Sequence, residues 1–281
     1  MTATIAVIMN IDLHCHTTAS DGQLAPEQLV SLARERGLDV LSITDHDTLE
    51  AYQGIDPYTT DIRIIPGIEF STHWQRRGIH IVGMNVDIDS DALREGVEFQ
   101  LHARQERAEK IAEKLERRGF EGCLEGAERY ADGNQIGRPH FARHLVETGA
   151  VKNIQQAFKK YLGAGKPGDV REQWADLPTV IKWIKESGGI AVLAHPAKYK
   201  LTRTKLLLLV EDFIQAGGQA MEVISGLQVP SLTRDLATIA NNKKLFSSCG
   251  SDFHSPNQYW AELGKVARLP EGCSPIWNTW Q

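Results

Sequence analysis

The stretch Ile11-Asp12-Leu13-His14-Cys15-His16 combines an apolar strand pattern with two histidines at alternate positions. Successive side chains of a strand point to opposite faces, so His14 and His16 can reach one point while Cys15 faces the other way. A helix is predicted to follow over Pro26–Arg36, with proline in its first turn. The stretch therefore opens a strand–helix unit whose strand ends on two histidines.

The same alternation of apolar runs and amphipathic segments recurs along most of the chain. Further strands are predicted at 40–44, 62–65, 70–74, 79–86, 190–194, 221–224 and 245–248. Such units favour parallel strands covered by helices, in either a barrel or an open sheet. Strand-like runs are missing between 89 and 169, where helices are predicted at 92–118, 121–131, 140–147 and 154–162. We therefore expect an α/β body of residues 1–88 and 170–281, with 89–169 as a helical insertion.

Composition excludes several classes of protein. The chain has 281 residues, is 42% hydrophobic and 24% charged, and carries a net charge of −5, which is ordinary for a globular domain and unlike a protein that coats nucleic acid. Its four cysteines are scattered without a CxxC pair, as expected in a reducing cytosol. The apolar segment 1–9 lacks a basic flank and is predicted to be a strand. We expect a cytoplasmic protein with no membrane association and no stable protein partner.

Six of the ten histidines lie at or just after the ends of predicted strands, and three carboxylates occupy equivalent places. The strand ends of a βα barrel converge on one rim, and imidazole and carboxylate are the usual ligands of Zn, Mn and Fe. A single histidine there would more simply be a capping or turn residue, but nine such residues require repeated coincidence. The sequence predicts a metal cluster built from His14, His16, Asp21, His46, Glu69, His80, His195, Asp252 and His254.

In chain order these motifs resemble those of the PHP (polymerase and histidinol phosphatase) family. They are His14-Cys15-His16, Ser20-Asp21-Gly22, Thr44-Asp45-His46-Asp47, Gly67-Ile68-Glu69, His80-Ile81-Val82-Gly83, Ala194-His195-Pro196 and Gly250-Ser251-Asp252-Phe253-His254. The helical block resembles the bacterial branch of small phosphoesterases that includes 3',5'-nucleoside bisphosphate phosphatases and a 5'→3' exoribonuclease. The resemblance implies a distorted seven-stranded (β/α) barrel with an inserted all-helical cap, holding two or three divalent ions, with Mn²⁺ favoured over Zn²⁺ or Fe²⁺.

The resemblance also implies how the ligands are shared. The first metal is expected on His14, His16, Glu69 and Asp252; the second on Glu69, His80 and His195; and the third on Asp21, His46 and His254. Catalysis is expected to rest on Glu69, His195, Asp252 and His254.

Positive charge in the helical block suggests where a substrate could be held. Residues 134–168 carry a net charge of +5, which leaves about −10 on the rest of the chain. A guanidinium fork matches phosphate geometry, so Arg138 and Arg143 are expected to bind a second phosphate together with His140. Two positions depart from the resembled pattern. Ala197-Lys198 stands where Gly-Arg is expected, which keeps a cation at Lys198, and Asp169 replaces an aromatic residue.

Charge arithmetic favours a phosphate substrate. Three divalent ions, offset by three carboxylates and one hydroxide, leave about two positive charges, which matches a phosphate monoester dianion. Metal binding lowers the pKa of water toward ~7, so a metal-bridging hydroxide can attack without a protein base. We expect a phosphoesterase acting on 3',5'-nucleoside bisphosphates, and on short oligoribonucleotides from the 5' end. The alternatives are a small-metabolite phosphatase of the histidinol phosphate type and a catalytically idle module.

Overall fold

The computed structural model describes residues 9–57, 61–75, 77–131, 136–163, 165–170 and 174–280, so nearly all of the predicted strand at 1–9 lies outside the described residues. Within these ranges the chain has eight β-strands and nine α-helices. It forms two compact units. We call Met1–Val97 with Asp176–Gln281 the larger unit and Glu98–Ala175 the smaller unit. Among the described helices, none combines the length and apolar character needed to cross a membrane.

The secondary structure follows the predicted order. The strands are β1 (Ile11–Asp12), β2 (Val40–Leu41), β3 (Arg63–Ile64), β4 (Gly67–Trp74), β5 (Arg77–Met84), β6 (Ile190–Leu193), β7 (Ala220–Ser225) and β8 (Phe246–Gly250). The helices are α1 (Pro26–Glu35), α2 (Ala51–Gly54), α3 (Asp91–Glu116), α4 (Cys123–Ala131), α5 (Arg138–Glu147), α6 (Ile154–Ala157), α7 (Leu177–Glu186), α8 (Arg203–Gln215) and α9 (Pro230–Asn242). A π-helical turn spans Phe158–Leu162, and 3₁₀ turns span Pro196–Tyr199, Tyr259–Ala261 and Ile276–Thr279.

Among the described residues the strands form a three-stranded sheet, β1-β2-β3, and a five-stranded sheet, β4-β5-β6-β7-β8. The first sheet is parallel, as are β6 with β7 and β7 with β8. The pairs β4–β5 and β5–β6 are antiparallel, unlike the parallel pattern that repeated units predict. β4 and β5 are antiparallel because the link between Trp74 and Arg77 is short, and so short a link cannot join parallel strands.

Backbone hydrogen bonds continue beyond the ends of the short strands. The Leu13 amide donates to the Cys249 carbonyl at 3.2 Å, and the Asp252 amide donates to the His14 carbonyl at 2.8 Å. On the other side, the Glu69 amide donates to the Asp45 carbonyl at 3.2 Å. The segment after β1 therefore runs beside the segment after β8, and the segment after β2 runs beside β4.

Two buried apolar clusters form the core of the larger unit. Leu13 packs with Val82, Val192 and Ala220 in one buried cluster. Cys15 packs with Leu29 of α1 in a second cluster. Burying each aliphatic side chain contributes about 1.5–3 kcal/mol, so the two clusters fix the backbone that carries His14.

The smaller unit is helical and has its own core. Ile111, Leu115, Phe141, Leu145 and Leu162 are buried in one cluster. The insertion boundary at 89 stays a prediction, and this compact unit begins at 98, within α3. The reason is that the first turns of α3 pack on the larger unit: Leu93 is buried, and a Cβ on Gly96 would lie 2.8 Å from the Trp183 ring.

Candidate metal centre

The nine predicted ligands all belong to the larger unit. His14 and His16 follow β1, His46 follows β2, Glu69 and His80 lie within β4 and β5, His195 follows β6, and Asp252 and His254 follow β8. His195 and Asp252 have positive φ angles of 26° and 57°. Residues other than glycine rarely adopt positive φ angles, and each one that does costs about 1–3 kcal/mol of folding free energy. Strain of this kind is typical of functional sites.

Four ligand atoms face one another at the centre of the cluster. The Nε2 atoms of His14 and His16 lie 3.1 Å apart. Oε2 of Glu69 lies 3.3 Å from each of them, and Oδ1 of Asp252 lies 3.5 Å and 3.3 Å from the two nitrogens. Ligands held at about 2.0–2.2 Å around one tetrahedral ion are separated by similar distances. The spacing therefore suits a single cation.

Glu69 extends the cluster, because its second oxygen faces two further histidines. Its Oε1 lies 3.0 Å from Nδ1 of His80 and 2.9 Å from Nε2 of His195. Nδ1 of His46 lies 3.1 Å from Oε2. Glu69 is fully buried and is placed so that it could bridge two ions.

A third group lies around Asp21. Its Oδ1 is 3.3 Å from Nε2 of His254, and its Oδ2 is 4.0 Å from Nε2 of His46. His16 stacks on both His46 and His254, with ring centroids 4.6 Å and 4.1 Å away. The structure thus brings all nine predicted residues into four overlapping groups whose ligand atoms lie within 4.8 Å of one another. The groups are His16–Asp21–His46–His254, His14–Glu69–His195, His14–His16–Asp252 and His46–Glu69–His80.

Several buried polar atoms of the cluster make no hydrogen bond to any residue that the structure describes. They are Nδ1 of His16, His46 and His195, and Oε2 of Glu69. Buried polar groups are normally satisfied, and an unsatisfied group costs about 1–3 kcal/mol. Bound cations would supply the missing partners for Oε2 and for ring nitrogens that lack a proton. The residues present fit divalent metal ions.

Burial and mutual contact set the charges of the cluster. Burial raises the pKa of Glu69, but His46, His14 and His80 outweigh it and hold that pKa well below its usual range. Burial lowers the pKa of His46 to about 3 and that of His195 to about 4. Ionised carboxylate and neutral imidazole are the forms that bind metals.

His14 differs from these histidines. Burial lowers its pKa, but the carboxylates of Glu222 and Glu69 outweigh burial and raise that pKa to about 10. A metal ion at Nε2 would displace a proton there, which is the usual coupling of metal binding to proton release.

Glu222 and Asp12 support the ligands. Nδ1 of His14 donates to Oε1 of Glu222 at 2.5 Å, and the His195 amide donates to Oε2 at 2.6 Å. Asp12 accepts from the Ser251 amide at 2.8 Å, directly before Asp252. Metal-binding histidines usually donate their other ring nitrogen to such a carboxylate. Neither Asp12 nor Glu222 is among the nine ligands that the sequence predicts. For Asp12, the alternate spacing with His14 was the available signal.

Two aspartates beside His46 hold loops. Asp45 accepts from the Thr17 amide at 2.7 Å and from the Ser20 hydroxyl at 2.5 Å. It thereby fixes the loop that leads to Asp21. Asp47 accepts from the Ser71 amide and hydroxyl at 2.7 Å. Sequence spacing suggests Asp47 as a helix N-cap, but α2 begins only at Ala51.

Lys198 lies beside the cluster. Its Nζ contacts Oδ2 of Asp252, the oxygen that does not face His14. Its side chain is about half exposed, at 49%. Burial lowers the pKa of Lys198. The amino group of Lys198 therefore lies at the edge of the predicted metal site.

The other predicted substrate residues lie on α5 of the smaller unit. Nη1 of Arg138 donates to the Leu162 carbonyl at 3.4 Å and lies 4.0 Å from Oδ1 of Asp169. His140 accepts from the Gly137 amide at 3.0 Å, and Arg143 is exposed. His140 and Arg143, three residues apart, share a helix face, whereas Arg138 does not share it. The three residues are on one helix without forming one cluster.

Comparison with known proteins agrees with the chemistry of the cluster. The family model described as the PHP domain matches residues 12–187. A protein of Salmonella typhimurium named 5'-3' exoribonuclease Rnm is 46% identical over 274 residues, which is 96% of this chain and 93% of that protein. A 3',5'-nucleoside bisphosphate phosphatase of Chromobacterium violaceum is 41% identical over 272 residues, covering 96% of this chain and 95% of that one.

A solved structure from Bifidobacterium adolescentis, described as a candidate metal-dependent phosphoesterase, is similar with a TM-score of 0.74 and 26% identity. The match covers 95% of this chain and 92% of that one. The family model covers more than half of the chain, and the curated relatives match along nearly its whole length. The chain belongs to the PHP family.

Proposed function

We propose that this protein is a metal-dependent phosphoesterase that removes a phosphate from nucleotides such as 3',5'-nucleoside bisphosphates. We further propose that it removes nucleotides from the 5' end of short RNA. The observation that carries this proposal is the convergence of nine His, Asp and Glu side chains in four groups. The nucleotide substrate is supported by relatives at 41–46% identity that are named for these two activities.

The larger unit is proposed to be a distorted seven-stranded barrel. The backbone bonds from Leu13 to Cys249 and from Glu69 to Asp45 support this closure, with β3 and β4 counted as one interrupted strand. The insertion 89–169 is proposed to act as a helical cap over the substrate, with 1–88 and 170–281 as the metal-binding body.

Two or three divalent ions are proposed to occupy the cluster, with Mn²⁺ as the first candidate. The mixture of imidazole and carboxylate suits Mn²⁺, Zn²⁺ and Fe²⁺. His14, His16, Glu69 and Asp252 would hold the first ion; Glu69, His80 and His195 would hold the second; Asp21, His46 and His254 would hold the third. Bound ions would supply positive charge for phosphoryl oxygens and lower the pKa of water toward neutrality.

The residues of the chain have separate tasks in this proposal. Lys198 is a half-exposed cation at the cluster edge, suited to a phosphate oxygen. Glu222 fixes the ring of His14 and the backbone of His195. Asp45 holds the loop before Asp21. These contacts keep the ligands and the cation in place before substrate binds, which reduces the reorganisation needed during the reaction.

A substrate panel tests this function. Purified protein supplied with Mn²⁺ is offered adenosine 3',5'-bisphosphate, a short 5'-phosphorylated RNA and histidinol phosphate, and released phosphate and mononucleotides are measured. We expect turnover of the first two substrates. The variant Glu69→Gln, in which a bridging carboxylate is lost, should be inactive on both.

Each other outcome has a definite meaning. Turnover of histidinol phosphate alone would replace the nucleotide assignment with a small-metabolite phosphatase. No turnover of any substrate with Mn²⁺, Zn²⁺ or Fe²⁺, despite ions bound by elemental analysis, would make the protein a catalytically idle module.

A further inference from the structure

Four large apolar side chains are exposed on two neighbouring loops of the larger unit. Leu227 and Val229 follow β7, and Tyr259 and Trp260 lie in the loop after β8. Their exposed fractions range from 51% to 72%. We call these four residues the aromatic ledge. Clustered apolar exposure of this kind usually marks a binding surface.

Backbone contacts join the ledge to the loop that carries Asp252. The Leu227 amide donates to the Trp260 carbonyl at 2.7 Å. A Cβ on Gly226 would lie 2.5 Å from that carbonyl oxygen and 3.0 Å from the oxygen of Ser251, directly before Asp252. Gly226 has a φ of 57°, so glycine permits this close approach. The ledge is thus held against the same loop as a predicted metal ligand.

A cavity of about 190 Å³ connects the ledge with the cluster. Its lining includes His195, Lys198 and Glu222 from the cluster region, together with Leu227, Leu232 and Leu236. Tyr259 and Trp260 are not among its lining residues. A mononucleotide in this cavity would therefore meet Leu227 but not the two aromatic rings. A longer substrate is needed to reach them.

The two exposed rings of Tyr259 and Trp260 lie beside each other. They contact each other edge to face, with centroids 5.0 Å apart and an interplanar angle of 85°. The nearest acid in sequence, Glu262, is paired with Lys265 at 2.7 Å and lies 3.7 Å from Arg36, which limits its repulsion of phosphates. Aromatic side chains beside a cationic phosphate site are the usual means of holding single-stranded nucleic acid by base stacking.

We propose that the aromatic ledge binds a base of an oligoribonucleotide beyond the nucleotide that is being removed, by stacking on Trp260 and Tyr259. The proposal rests on the phosphoesterase function proposed above and deepens it by naming single-stranded RNA as a substrate with its own subsite. It makes the ledge a determinant of the choice between oligonucleotides and mononucleotides.

The test compares two substrates across a set of ledge variants. Tyr259→Ala and Trp260→Ala are assayed with adenosine 3',5'-bisphosphate and with 5'-phosphorylated RNA of two, four and six nucleotides. KM for the four- and six-nucleotide RNA should rise about 10-fold per variant. KM for the bisphosphate should stay within about twofold, since the rings lie outside the cavity. Trp260→Phe keeps a stacking surface and should restore KM to within about threefold of the starting value.

Leu208→Ala is the matched control, because Leu208 is 51% exposed on α8 and is not part of the ledge. An unchanged KM for RNA in both alanine variants would overturn the ledge proposal, and so would an equal rise for RNA and bisphosphate. The ledge could instead bind a second copy of this chain, and sedimentation velocity tests this alternative. If the protein is a dimer that dissociates in Trp260→Ala while RNA kinetics stay unchanged, the ledge is a dimer contact and the proposal is overturned. If the unsubstituted protein hydrolysed neither RNA nor the bisphosphate, the phosphoesterase function itself would be refuted.

Discussion

The strand ends of the larger unit and helix α5 of the smaller unit both carry polar side chains, but under opposite conditions. His14, His16 and Glu69 are fully buried, and atoms of His16 and Glu69 make no hydrogen bond within the described structure. Arg138 on α5 is partly exposed and already has protein partners in the Leu162 carbonyl and Asp169. Bound cations would supply partners for the first group, whereas Arg138 has its partners within the chain.

This difference indicates how strongly each region depends on its ligand. Buried polar atoms without partners destabilise the folded protein, so a ligand that bonds to them would stabilise it. Basic residues on an exposed helix keep their hydration and are stable without a substrate. We therefore expect substitutions in the cluster to act through metal binding and to be severe. Substitutions on α5 should act on one substrate and be mild.

The largest effect is expected for His14→Ala. This change removes a nitrogen that faces His16, Glu69 and Asp252, so an ion at the centre loses one ligand. Because loss of a supporting residue alone reduces metal affinity or activity by about 10–100-fold, loss of a ligand should reduce turnover by more than about 100-fold. Bound metal, measured by elemental analysis, should fall with it.

His102→Ala is the matched control, since the side chain of His102 is 77% exposed on α3. It should keep both metal and activity. If His14→Ala kept its full metal content and turnover, the contrast between the two regions would disappear.

An intermediate effect is expected for Glu222→Gln. The amide of glutamine can replace only one of the two acceptors that Glu222 offers to His14 and His195. Affinity for Mn²⁺, measured by titration calorimetry, should fall about 10–100-fold. Glu211→Gln on α8 removes an exposed carboxylate and should leave Mn²⁺ affinity unchanged. Equal Mn²⁺ affinities in the two variants would contradict a supporting role for Glu222.

The smallest effect is expected for Arg138→Ala. A guanidinium that binds a second phosphate should affect bisphosphates only, and its contact with Asp169 weakens the effect. KM for adenosine 3',5'-bisphosphate should rise about 5- to 10-fold, while turnover of a simple aryl phosphate stays unchanged. Lys159→Ala removes an exposed charge from the same unit and should change neither substrate. An equal loss on both substrates would argue against a second-phosphate role for Arg138.

Features that depend on local spacing could be predicted from the sequence. The His-x-His pattern after β1 fixes two side chains on one face, and the strands predicted at 70–74 and 79–86 are present as β4 and β5. Six of the nine residues proposed as ligands follow the same logic, because they come shortly after a strand: His14, His16, His46, His195, Asp252 and His254. Glu69 and His80 instead lie within β4 and β5.

Features that depend on contacts between distant residues could not be predicted from the sequence. Asp47 bonds to Ser71, 24 residues away, instead of capping α2. Asp12 reaches the Ser251 amide across 239 residues. Neither partner can be identified from neighbouring residues, since buried aspartate and capping aspartate have the same local pattern. The start of the smaller unit within α3 was hidden for the same reason, because the packing of Gly96 on Trp183 is long-range.

The bond between Asp12 and the Ser251 amide also has a consequence for folding. It joins segments 239 residues apart, with Asp12 two residues before His14 and Ser251 directly before Asp252. Contacts of such separation form late, because a long loop must close before they stabilise the chain. During synthesis, a metal ion would meet His14, His16, Asp21, His46, Glu69 and His80 well before Asp252 and His254 emerge. The complete set of ligands therefore exists only after the last strand has joined the first, and full metal loading should follow the completion of folding.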